Sequence, residues 1–163
     1  MKFLPIIGLL APPVAILTLL LINSEGLAML GFSGDSIFLT AGIFSAVVWA
    51  WALFEGRSVN KFLKKDKKDN FQMAFGINSL SNICAIIIWW VSPLSTTNLF
   101  ISAAITLVIM LLVSNALRLW LTKQVFEYET SRAVNANKFV FIEEILIYGL
   151  AISYFAFLGG AFR

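Results

Sequence analysis

From residue 70 to 117 the chain carries no Asp, Glu, Lys or Arg, and apolar residues fill most of the stretch. A soluble helix seldom runs past about 20 residues. One bilayer crossing takes about 20 apolar residues, so this run holds two crossings. The turn-forming segment Ser92-Pro93-Leu94-Ser95-Thr96-Thr97-Asn98 separates them. Three more charge-free runs stand at 3–24, 36–54 and 145–162. The pattern predicts five spans, at about 3–23, 36–54, 71–92, 97–119 and 139–161. The expected fold is all-α: a polytopic integral membrane helical bundle of five transmembrane helices, with four as the alternative.

Two spans carry irregularities. Pro12 and Pro13 in the first remove two backbone donors and disfavour a helical Ala11. The expectation there is a kinked helix, two half-helices, or a re-entrant piece buried against the others. A cleaved signal peptide is the rival, less favoured reading. In the fifth span Glu143 and Glu144 fall in the first turns of a helix starting near Asn137, close to its positive end. If that segment lay in the interface, the chain would cross four times with both termini inside.

Charge sets the orientation. Lys2 precedes the first span, and Arg57, Lys61, Lys64, Lys65, Lys67 and Lys68 follow the second. Arg118, Lys123, Arg132 and Lys138 lie between the fourth and fifth, whereas connections 24–35 and 92–98 hold no basic residue. Only Arg163 falls on the other side. Basic residues mark the cytoplasmic face, so the N-terminus is expected there. The expected organisation is one transmembrane domain over 1–163, with basic cytoplasmic loops at about 55–70 and 120–138.

Composition agrees with this and narrows the chemistry. The chain is 60% hydrophobic and 13% charged, with a mean hydropathy of +0.88, outside the soluble range of roughly 45–50% apolar and 25% charged. Histidine is absent and Cys84 is the lone cysteine. Imidazole-ligated haem, most zinc sites, Ser-His or Cys-His nucleophiles and an intrachain disulfide therefore drop out. Phosphate-binding loops, HExxH, GxSxG and acidic metal clusters are missing too, so no cofactor and no enzymatic role is expected. The net charge of +3 reads as topology and contact with anionic lipid rather than nucleic-acid binding.

Several features are candidates for function, each with a plainer reading beside it. The basic residues Arg57, Lys61, Lys64, Lys65, Lys67 and Lys68 suit anionic lipid or an acidic cytoplasmic partner; fixing topology is the plainer role. Val59, Phe62 and Leu63 have a spacing that could dip one helical face into lipid. Gly42, Ala46 and Ala50, like Gly149 and Ser153, repeat small residues four apart, a pattern that brings helix backbones together, within one chain rather than between copies. Asn78, Asn82 and Asn115 should avoid lipid, lining a pore or bonding between helices, the latter weighing more. No ionisable residue lies at the middle of any span, which argues against proton coupling. Glu143 and Glu144, pointing about 100° apart on a helix, suit a pore entrance or a salt bridge to Arg132 or Lys138 rather than paired catalysis. The five tryptophans fit interfacial belts.

The function these readings favour is a non-catalytic component of the bacterial inner membrane. It would oligomerise or anchor a larger complex and dock a cytoplasmic partner, as in secretion, exclusion, immunity or phage-defence systems. A small homo-oligomeric ion channel is the alternative.

Overall fold

The structure, a computed structural model, describes residues 3–23, 33–60, 67–92 and 99–161, and among these the chain is helical apart from short turns. The helices are α1 (Leu4–Ile22), α2 (Gly34–Asn60), α3 (Lys67–Val91), α4 (Leu99–Phe126) and α5 (Thr130–Ala161). Four segments are long and apolar enough to cross a membrane: Leu4–Ile22, Gly34–Asn60, Asn70–Val91 and Ile101–Phe126. The fifth expected crossing falls on the 32-residue α5, where most side chains beyond Leu150 lie outside the described residues.

The helices outrun the apolar runs that predicted them. α2 continues past Glu55 to Asn60, and α4 continues past Arg118 to Phe126. The basic loop expected at 120–138 is thus mostly helix, reduced to a turn after Phe126. Glu127 makes that turn with φ 53°, a left-handed conformation uncommon outside glycine. At the start of α2, the Ser36 backbone N–H donates to Ser33 Oγ at 3.4 Å, and the Ser36 hydroxyl donates to the Ser33 carbonyl at 2.7 Å. Asp35 in the first turn suits the positive helix end.

The chain gathers into two compact units, Met1–Ile83 and Cys84–Arg163, with the division inside α3. In the first, α1 turns inward a residue every four: Leu4, Gly8, Pro12, Ile16 and Leu20. The prolines do not split it into half-helices. Pro12 has no N–H to give the carbonyl four residues back, which belongs to Gly8; Ser79 Oγ of α3 donates to that carbonyl instead. The approach is close. A methyl on Gly8 would stand 2.6 Å from Gly76 Cα, and one on Gly76 would stand 2.7 Å from the Leu4 carbonyl oxygen.

On α2 the inward seam is Ile37, Ala41, Ser45, Val48, Ala52, Glu55 and Val59. Gly42, Ala46 and Ala50 are exposed, and a Cβ on Gly42 would meet nothing within 4 Å. The small-residue contact expected within the chain is therefore not made by this stripe. It is made by Gly8 and Gly76. Gly149 is likewise exposed and open, and Ser153 only returns its hydroxyl to the Gly149 carbonyl at 2.9 Å. In the second unit Ala85, Leu107 and Met110 form an apolar cluster with Ile88, Trp89 and Tyr148 against it. The outward faces are strongly apolar, as at Phe38, Leu39, Leu112, Leu146 and Leu150. Such faces suit lipid better than water.

Candidate functional site

Each unit buries a carboxylate, and each carboxylate meets an asparagine from a neighbouring helix. In the first unit it is Glu55, with 0% of its surface exposed. Trp51, one turn earlier on α2, donates its indole N–H to Glu55 Oε1 at 2.9 Å. Asn82 of α3 donates its amide to Oε2 at 2.9 Å. Asn78 lies one turn before Asn82 and is also buried. Both oxygens thus accept an N–H.

The second unit joins α4 to α5 through Arg118 and Glu144, both essentially inaccessible. Arg118 Nη2 lies 2.8 Å from Glu144 Oε1. Asn115, one turn before Arg118, accepts from Arg118 Nη1 at 3.0 Å. Its amide donates to Glu144 Oε2 and to the Leu111 carbonyl at 2.8 Å. The amide therefore bridges cation and anion. This stripe continues toward the α4–α5 turn. The Thr122 hydroxyl donates to the Arg118 carbonyl at 2.8 Å, and Asn137 Nδ2 donates to Thr122 Oγ1 at 3.1 Å and to the Ala133 carbonyl at 2.9 Å. At the hairpin end Lys123 Nζ donates to Thr130 Oγ1 at 2.9 Å.

These contacts revise several expectations. Glu55 and Arg118 stand inside uninterrupted helices rather than in loops, so ionisable groups do occur within the long helices. Glu144 pairs with Arg118 and not with Arg132 or Lys138. Arg132 instead sits over the Tyr128 ring, 4.1 Å from its centroid, and Lys138 lies over Phe139 at 5.3 Å. Asn115 and Glu144 turn into their unit, while Glu143 is half-buried. Trp51 has a polar partner beyond any interfacial role. Val59 is buried rather than facing lipid.

Of the basic set after the second span, Arg57 is exposed at the end of α2. Lys61, Lys64 and Lys65, with Phe62 and Leu63, lie outside the described residues. Lys67 and Lys68 begin α3; their side chains lie outside the description too. Glu55, Trp51, Ser79, Arg118, Thr122 and Asn137 escaped the sequence reading. The available signal was polar residues at helical spacing, Trp51 with Glu55 and Asn115 with Arg118 and Thr122, since polar groups in apolar helices mark the side turned from lipid.

Chemically, both clusters are cross-links. A carboxylate whose two oxygens are held by N–H donors is oriented, and neighbouring helices are tied by bonds that water does not contest. Among the described residues no group of three or more His, Cys, Asp or Glu could hold a metal ion. Comparison with protein-family models, curated proteins and solved structures finds no match to this chain.

Proposed function

We propose that the protein is a non-catalytic, multi-pass component of a bacterial inner membrane that anchors a larger assembly and docks a cytoplasmic protein partner through its basic segments. The observation that carries this reading is the sorting of charge. Buried Glu55, Arg118 and Glu144 each bond a neighbouring helix. Arg57, Arg132 and Lys138 are exposed, on the side that the distribution of Lys and Arg assigns to the cytoplasm. Apolar helices that carry exposed basic residues provide position and attachment. The N-terminus lies inside, and the apolar outer faces meet lipid or further copies.

Replacing Lys64, Lys65, Lys67 and Lys68 together with Gln tests this. Partner capture after crosslinking in native membranes falls, while insertion and yield remain as in the parent chain. Unchanged capture with intact insertion overturns the docking role.

A further inference from the structure

Glu143 and Glu144 are adjacent on α5, yet only one of them is satisfied. Glu144 is held by Arg118 and Asn115, whereas no described residue gives Glu143 a hydrogen bond or an ion pair. Glu143 points about 100° away from Glu144 around the helix. Phe139, Leu146 and Leu150 share its face by helical spacing; all three are exposed, and Glu143 is half-buried beside them. Lys138 is five residues away and projects about 140° around the helix from Glu143.

Two marks give the depth of this carboxylate. Glu143 stands just before the charge-free run 145–162, and Arg118 is the first charged residue after the charge-free run of α4. The Arg118–Glu144 bond holds those two ends at one level. Where the crossings are taken as these apolar runs, that level is the cytoplasmic edge of the hydrocarbon, where lipid headgroups lie. A carboxylate there, above exposed Leu146 and Leu150, meets lipid on its open side.

We propose that Glu143 is a headgroup site for phosphatidylethanolamine: its carboxylate accepts hydrogen bonds from the lipid's primary ammonium, while an acyl chain lies along Leu146 and Leu150. Charge complementarity selects this lipid. Hydrogen bonds between ionised groups are the strong ones, and the quaternary ammonium of phosphatidylcholine has no N–H to give. Phosphatidylglycerol brings only an anion, which the carboxylate repels. The inference rests on α5 crossing the membrane and not on a docked cytoplasmic partner.

Lipid retention by the full-length protein tests it. The protein in mild detergent is equilibrated with equal amounts of phosphatidylethanolamine, phosphatidylcholine and phosphatidylglycerol of the same acyl chains, and the lipids kept are counted by native mass spectrometry. Phosphatidylethanolamine is enriched over phosphatidylcholine about three- to fivefold, the range a partly exposed ion pair supports. Glu143→Gln removes the enrichment, and Glu129→Gln, at an exposed position in the turn, keeps it. A series from phosphatidylethanolamine through its N-methylated forms, run on the parent chain, needs no variant to fold; retention falls as N–H groups are lost. Equal retention of phosphatidylethanolamine and phosphatidylcholine, or an enrichment that survives Glu143→Gln, overturns the site. The crossing is checked separately with Ser153→Cys in a Cys84→Ser background. Protection of that thiol from a maleimide in sealed vesicles supports α5 in the bilayer, and ready labelling overturns both the crossing and the site.

Discussion

Ser79 donates its hydroxyl hydrogen to the carbonyl oxygen of Gly8 at 2.5 Å, and Gly8 is the residue whose helical partner Pro12 lacks. One side chain of α3 therefore repairs a defect that proline creates in α1. Serine is one of the groups that satisfy a carbonyl freed by proline inside a membrane helix. With Ser79→Ala the buried carbonyl loses its donor, at a cost of about 1–3 kcal/mol. Pro12→Ala returns an N–H to the same carbonyl, so Ser79→Ala costs less in that background. Thermal unfolding of the four proteins in one detergent gives the coupling as a double-mutant cycle. Additive losses would contradict the repair.

Glycine positions divide by what surrounds them. Ala at Gly8 or Gly76 places a methyl against backbone that cannot swing away, and overpacking of this kind costs about 1–3 kcal/mol or more. Ala at Gly42 or Gly149 meets open space and gains up to about 1 kcal/mol of helix propensity. Melting temperatures in detergent should fall for the first pair and hold or rise for the second. A loss at Gly42→Ala as large as that at Gly8→Ala would sink this assignment.

The Arg118–Glu144 pair is tolerated when whole and harmful when halved. Arg118→Met leaves Glu144 buried without its cation, at a cost of about 3–5 kcal/mol, whereas replacing both partners with apolar residues of similar size is often neutral. The variant Arg118→Met, Glu144→Leu should therefore fold better than either single change, measured as the fraction recovered monodisperse after heating. Asn115 loses bonds to both partners in the double variant, so Asn115→Leu added to it is expected to recover further stability.

Glu127 holds φ 53°, and left-handed backbone costs a non-glycine residue roughly 1–2 kcal/mol. Glu127→Gly removes that strain but gives the unfolded chain more freedom, an opposing effect of about 0.4–1 kcal/mol. The net expectation is a small rise in melting temperature, with Glu127→Ala giving none. A fall with Glu127→Gly would show that the carboxylate has a role at the turn.

The helices were legible because apolar runs of crossing length leave little choice of structure. Their ends were not. Charge was taken to close a span at Glu55 and Arg118, yet a buried carboxylate or guanidinium is tolerated inside a helix when a partner across the packing seam satisfies it. Those partners, Asn82 and Glu144, lie 27 and 26 residues away, a distance that no local pattern reports. The small-residue stripe failed for a different reason. Gly42, Ala46 and Ala50 have the right spacing, but the adjacent face holds Ser45 and Glu55, and those polar groups decide which side turns inward. The repair of Pro12 by Ser79 was equally hidden, because the two residues meet only once α1 and α3 are packed.

The most direct test of the proposed function is the native mass of the complex, gently extracted from its host membrane, with every polypeptide identified. The account predicts a second protein in fixed stoichiometry, lost when Lys64, Lys65, Lys67 and Lys68 are replaced with Gln. The chain alone, as a monomer or as copies of itself, would contradict it.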